Sequence, residues 1–342
     1  MSAADRRRAA IVAPAGLELT VEERELYDEL PPAGFILFRR NCAEPEQVRA
    51  LTAALRRASG RPEAPILIDQ EGGRVARLCP PCWPALPPPC RAGELAERDA
   101  ASATEAAWLQ ARLIANELHS LGIDVDCYPL LDVPDAACHD VIGDRALACD
   151  PRGVAELGRA ALRGLTDGGV LPVVKHIPGH GRARADSHVE LPVVEASAED
   201  LAAIDFGPFR ALADAPFAMT AHVVYAALDP AQPATWSRRV IEDVIRRQIG
   251  FRGALISDDI GMGALSGSLA ERSRRAVDAG CDLVLYCKGV FDEAAEVLEA
   301  AGPIGEAAEA RLDAALAQRR APVPFDAGRG YRRLAELLEP VV

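Results

Sequence analysis

Long apolar runs are missing from this chain. Its first stretch, MSAADRRRAAIVAP, contains only a five-residue apolar run, too short for a secretory hydrophobic region or a membrane span. A cytoplasmic protein without a membrane partner is expected. Positive charge is also in deficit: the net charge is −13, and no block of five or six like charges interrupts the mixture. That excludes a phosphate track for nucleic acid and adhesion to an anionic membrane surface, and leaves a small neutral or weakly charged substrate as the compatible partner. A disulfide framework is lacking as well, because the nine cysteines, at 42, 79, 82, 90, 127, 138, 149, 281 and 287, are odd in number and scattered. They read as small buried hydrophobes. Cys79 and Cys82 have the C-x₂-C spacing of a zinc ribbon, but no second pair follows, and the prolines before Cys90 favour an extended connector. No metal and no cofactor are expected. Finally, no G-x-S-x-G elbow occurs, so the serine nucleophile of that motif is excluded.

What the chain does have is a rhythm. Its 342 residues leave room for two average domains or for one barrel of about 250 residues with additions. Short apolar, β-branched runs recur at 9–14, 34–38, 65–70, 124–132, 170–176, 216–223, 253–259 and 281–287. Between them lie segments of helical spacing at 45–58, 101–120, 151–166, 198–213, 237–249 and 268–279, many opened by an N-cap or an Asp-Pro pair. Several runs are apolar throughout, as strands of a parallel sheet buried on both faces are. Eight strands alternating with helices predict an α/β fold, a closed (β/α)₈ TIM barrel, with an open doubly wound sheet as the competitor. The whole of 1–342 reads as a single catalytic domain. Its segment 291–342 forms a C-terminal helical extension: two helices over 291–320, a short linker at 322–326, and a third helix over 328–338.

Polar residues at the strand ends favour the barrel. Asp69 ends the third run, Asp132 the fourth, Lys175 and His176 the fifth, His222 the sixth, and Asp258 and Asp259 the seventh. In a barrel these C-terminal ends converge on one mouth, where active sites sit.

The segment KHIPGHGRARADSHVE, 175–190, holds three of the six histidines. His176 and His180 are four apart, but Pro178, Gly179 and Gly181 rule out the helix that would aim both at one metal. Ser187 lies between Asp186 and His188, and adjacent residues rarely meet as a nucleophile–base pair. A proton shuttle fits better. Asp186 and His188 stand two apart, so in a turn the carboxylate can fix the tautomer of the imidazole and hold the ring, and such a dyad can protonate a leaving group and later deprotonate water. Asp258, ending an apolar strand, is placed to face a substrate at the mouth. A carboxylate nucleophile with separate acid/base assistance is the logic of retaining glycoside hydrolysis. Asp259, its neighbour in a regular strand, points the other way and reads as structural.

The motifs GFILFRRN, IDQEGGRVARL, VIGDRA, KHIPGHG followed by DSH, and ISDDIGM, taken together and in this order, resemble the bacterial β-N-acetylhexosaminidases of glycoside hydrolase family 3, the single-domain cytoplasmic type that recycles cell wall. The resemblance spans about residues 10 to 300. It implies a (β/α)₈ barrel and double displacement with retention, in which Asp258 is the nucleophile, His188 the acid/base and Asp186 its partner. It also implies that Asp69, Arg77, Arg145, Lys175 and His176 bind the sugar. The implied substrates are muropeptide fragments bearing terminal β-1,4-linked N-acetylglucosamine on 1,6-anhydro-N-acetylmuramic acid, with or without peptide, handled by a monomer. Glycines in DDIGMGAL and the cysteines after Asp132 depart from the family's pattern and bear on fine specificity. The competing activities are an N-acetylglucosaminide phosphorylase or a β-glucosidase of the same family, a Schiff-base aldolase using Lys175, and a sugar-binding protein without turnover.

Overall fold

The computed structural model describes residues 7–135 and 139–339. Cys138 and the first six residues of the opening stretch lie outside them. Eight parallel strands close into a barrel: β1 (Arg8–Val12), β2 (Pro32–Leu37), β3 (Ile66–Ile68), β4 (Val125–Asp126), β5 (Leu171–Ile177), β6 (Phe217–Thr220), β7 (Ala254–Asp259) and β8 (Leu283–Tyr286). Each pairs with its chain neighbours, and β8 returns to β1 through Ala10 opposite Val284. The open-sheet alternative is thereby excluded. Every residue of β2 and of β5 is buried, which is why those runs carry no alternation.

The helices form the outer layer. In Pro45–Ala58 the buried side chains Val48, Leu51, Thr52 and Leu55 lie on one stripe, the i, i+3, i+4, i+7 spacing of a helix laid on a sheet. In Pro151–Asp167 the Asp150 carboxylate accepts from the amides of Arg152 and Gly153, so the Asp-Pro pair caps the helix as its chemistry requires. Beyond the barrel, Glu306–Leu316 and Ala327–Leu338 are helical. Buried Asp282, just before β8, accepts from Arg246, from Arg311 on the first of these helices, and from the Leu255 amide of β7. Arg7 bridges to Glu309 and Asp313.

Three expected elements come out differently. The run 124–132 supplies only Val125–Asp126 to the ladder, with one further bridge from Leu130 to Lys175, because Pro129 has no amide to donate. The segment 198–213 is broken: Ala198–Asp200 passes through wide turns at Leu201–Asp205 into Phe206–Ala211, where Pro208 likewise cannot donate. The segment 237–249 is helical over Val240–Ile249, again with wide turns. The connector 79–90 is not wholly superficial, since Trp83 is turned into the core. No described helix is long and apolar enough to cross a membrane.

Candidate active site

At the C-terminal mouth of the barrel lies a cavity of about 330 Å³. Asp258, His188, Asp69, Arg77, Arg145 and His176 all contribute to its wall, as does Lys175. Side chains from the ends of β3, β5 and β7 and from the loops carrying Arg77, Arg145 and His188 therefore converge here, whereas Asp132 and His222, from the fourth and sixth runs, are buried and do not line the cavity. Asp186 does not line the cavity; it stands behind His188.

One side of the cavity is a buried ionic lattice. Lys175 Nζ lies 2.9 Å from Asp69 Oδ1 and 2.8 Å from Glu71 Oε1. Arg145 grips the same Glu71 with two parallel bonds of 2.9 Å, and Arg77 donates to Asp69 at 3.1 Å while stacking over Phe38. Glu71 is wholly buried and Lys175 is 2% exposed. Burial works against the ionised forms, but the opposite charges prevail: the carboxyls of Asp69 and Glu71 are held below the usual carboxylate range, and Lys175 and Arg145 are held above theirs. Lys175 is thus a fixed ammonium. A Schiff-base lysine needs a neutral amine, so this geometry does not serve the aldolase alternative.

The sequence reading missed Glu71. Its signal lies in the two glycines that follow it. Gly72 and Gly73 take φ +99° and +56°, and a Cβ on Gly72 would stand 2.4 Å from the Pro87 carbonyl oxygen. The sharp turn they allow folds Glu71 inward, where an acidic residue in a loop would otherwise point to water. Arg74, next along, donates to Asp144 and to the Asp140 and Val141 carbonyls, which holds the Arg145 segment over the cavity.

A second carboxylate organises the histidines. Buried Asp132 accepts from the His176 amide at 3.1 Å, from His176 Nδ1 at 2.7 Å and from the His180 amide at 2.6 Å. Burial opposes its ionisation, but His176 and the other donors draw it down to about 2. His176 is thereby left with Nε2 on the cavity side. His180 is not aimed at a shared ligand: its Nε2 meets Ser187 Oγ at 3.1 Å, and its buried Nδ1 has no partner among the described residues. Burial first, and His176 second, push its imidazole down to about 4.

The Asp186–His188 pair belongs to the loop after β5. Asp186 Oδ1 accepts from the His188 amide at 2.9 Å and from His188 Nδ1 at 2.8 Å. The amides of Val189 and Glu190 close the turn onto the Asp186 carbonyl. The ring is pinned through Nδ1, which leaves Nε2 to meet a substrate. Burial pushes the Asp186 carboxyl up, and the His188 amide and ring bring it net below its ordinary value. Asp258, in the same lining, accepts at Oδ1 from the Asp259 amide at 2.8 Å. Burial opposes its ionisation, but the imidazoles of His222 and His176 and that amide outweigh it and leave Asp258 below the ordinary carboxylate range, charged at neutral pH.

The remaining strand-end residues serve as braces. Asp259 also borders the cavity, but its Oδ1 accepts from the amides of Gly261 and Cys287. Burial and the Asp258 charge push it up to about 6. His222, fully buried, donates from Nε2 to the Asp259 carbonyl and shares Nδ1 with the Thr235 hydroxyl. Cys79 contacts the Ala76 carbonyl, and Cys82 is exposed. Among the described residues no group of His, Cys, Asp and Glu has the arrangement of a metal site.

An ionised carboxylate and a tautomer-fixed imidazole facing one cavity, beside a fixed lattice of charged hydrogen-bonding groups, suit the chemistry of a glycoside hydrolase. The Glycosyl hydrolase family 3 N terminal domain matches residues 10–320, and the chain belongs to that family. It is 40% identical over 316 residues to a beta-hexosaminidase of Aromatoleum aromaticum, an alignment covering 91% of this chain and 88% of that protein. In three dimensions it resembles the native NagZ of Neisseria gonorrhoeae, with a TM-score of 0.87, 33% identity, and coverage of 98% and 99% of the two chains. It also resembles a family 3 beta-N-acetylglucosaminidase of a Paenibacillus species, with a TM-score of 0.88, 32% identity, and coverage of 98% of this chain and 68% of the other.

Two outcomes test this account. Glu71→Gln removes the charge that holds Lys175 and Arg145 in place, and kcat/KM on an aryl glycoside should fall roughly 10²-fold, as misplacement of positioning groups does; an unchanged value would show that the lattice is not needed to hold the substrate. For His180 the folded pKa lies below the unfolded value near 6.5, so its contribution is full above pH 6.5 and is lost as pH falls through about 4. Between pH 7 and pH 5 the wild type should lose about 2 kcal/mol more stability than His180→Asn, read from urea midpoints at the two pH values.

Proposed function

We propose that this hydrolase is a retaining β-N-acetylglucosaminidase that removes terminal non-reducing β-1,4-linked N-acetylglucosamine from muropeptide fragments. The aglycone would be 1,6-anhydro-N-acetylmuramic acid with or without its peptide, and the setting peptidoglycan recycling in the cytoplasm. Residues 1–342 would act as one monomeric catalytic unit. The observation that supports this most is that Asp258 and His188, the latter hydrogen-bonded to Asp186, border the same cavity. The hexosaminidase names of its relatives support the sugar.

In the first step, Asp258 attacks the anomeric carbon while His188 Nε2–H protonates the glycosidic oxygen, so the C–O bond to the aglycone breaks as the bond to the carboxylate forms. In the second, Nε2 takes a proton from water, the resulting hydroxide attacks the anomeric carbon, and Asp258 is released with net retention. Asp186 keeps Nδ1 protonated throughout. Asp69, Arg77, Arg145, Lys175 and His176 would hold the sugar hydroxyls, through charge-assisted bonds that gain most as positive charge develops on the ring. The lattice makes this pinning rigid, since none of its members is free to follow the substrate.

The assay is release of p-nitrophenol from the β-N-acetylglucosaminide, run beside the β-glucoside and with added phosphate. Turnover of the first alone supports the reading. Preference for the glucoside, or acceleration by phosphate with a sugar phosphate as product, points to the sibling activities, and binding without turnover points to a sugar-binding protein. With a poor leaving group, His188→Ala should lose roughly 10²- to 10⁴-fold in rate and markedly less with an activated aryl group. Asp258→Ala should form no covalent adduct with a fluorinated glycosyl substrate that labels the wild type. Equal losses on both leaving groups, or an adduct elsewhere, would overturn these roles.

A further inference from the structure

The turn that carries His188 projects from the barrel with little to hold it. The His188 side chain is 63% exposed, and Val189, Glu190 and Leu191 are exposed with it. Ser187, at 3% exposure, is the point where the turn is gripped. Its hydroxyl meets His180 Nε2, and two backbone bonds cross to the loop that follows Asp258: the Gly263 amide donates to the His188 carbonyl at 3.0 Å, and the Ala264 amide to the Ser187 carbonyl at 3.2 Å. The residues run in opposite directions, as in a short antiparallel ladder. The far side of this clasp is itself rigid, since Arg272 donates to the Ile260 and Met262 carbonyls and Asp259 accepts from the Gly261 amide.

The contact depends on the residue at 263. A Cβ there would lie 2.6 Å from the Val189 carbonyl oxygen, 2.8 Å from the His188 carbonyl oxygen and 3.0 Å from the Val189 carbonyl carbon. All three are backbone atoms, which cannot rotate away, so any larger residue must push the turn outward. Close approach of two backbones is a use that glycine alone permits.

We propose that Gly263 is a positioning residue for the acid/base: its missing side chain lets the Asp258 loop clasp the His188 turn by two amide bonds and so sets the reach of Nε2 to the glycosidic oxygen. This rests on the assignment of His188 as the acid/base. The clasp couples the two reacting groups directly, because one loop carries the nucleophile and the other the acid. Few bonds hold it, so the turn can open for exchange of aglycone and water and close for chemistry.

The test is Gly263→Ala, compared with wild type and His188→Ala on two N-acetylglucosaminides, one with an alkyl or sugar leaving group and one with a dinitrophenyl group. For the poor leaving group kcat/KM should fall roughly ten- to a hundredfold, in line with small displacements of a catalytic group, and for the dinitrophenyl substrate it should change less than about threefold. Equal losses on both substrates, or none on either, would overturn the proposal. If His188→Ala itself shows no dependence on the leaving group, the acid/base assignment fails instead; if it does and Gly263→Ala does not, only the clasp fails. Amide hydrogen exchange in the wild type supplies a readout that needs no variant. The Gly263 and Ala264 amides should be protected, and exchange at the rate of free amides would also overturn the clasp.

Discussion

Four formal charges, Lys175, Arg145, Asp69 and Glu71, are withdrawn from water at the barrel mouth, and the site depends on their mutual neutralisation. Taking an ion out of water costs several kcal/mol even after relaxation, and an incomplete set leaves an uncompensated buried charge, which is strongly destabilising. Two cations against two carboxylates, with Arg77 at the more open edge, balance. The carboxyl of Asp126 lies nearby in a different setting. It is buried, with one oxygen accepting from the Gln70 amide and the other unpartnered among the described residues, and burial pushes it well above the ordinary carboxylate range.

The same constraint separates two jobs that hydrolysis of a glycoside makes of carboxylates. Those of the lattice are saturated by cations, so they can accept hydrogen bonds from sugar hydroxyls but are poor candidates for attack. Asp258 stands outside the lattice, with one oxygen held by a backbone amide and imidazoles rather than guanidinium around it. Its charge is kept without being spent in an ion pair. Asp186 differs again: its partner is the imidazole it orients. The environment around each carboxylate, more than its type, assigns its task.

Much of the fold was legible because it follows from local rules. Buried parallel strands must be apolar on both faces, and the runs at 34–38 and 170–176 declared themselves for that reason; helix starts such as Asp150-Pro151 follow from the chemistry of capping. Asp258, His176 and the Asp186–His188 pair were legible because they lie at strand ends or two residues apart, where backbone geometry alone brings them to the mouth or to each other. What was not legible depended on contacts across the chain. Glu71 meets Arg145 and Lys175 only once strands 3 and 5 and the loop before Arg145 are in place. Ser187 looked like a failed neighbour of His188, while its partner is His180 on the other side of a turn. Pro129 and Pro208 were visible, yet their effect on the ladder and on helical winding is a matter of which amide was needed where.

The proposed reaction places two different requirements on the residues around the cavity. The sugar must be held without reorganisation while positive charge develops at its anomeric carbon, which calls for fixed dipoles and charges in a water-poor setting, and the buried lattice would supply them. The acid/base must meet a leaving group, let it go and then meet water, so it cannot be sealed in. A histidine on an exposed turn, fixed in tautomer by Asp186 and held in place by a few hydrogen bonds, satisfies that need.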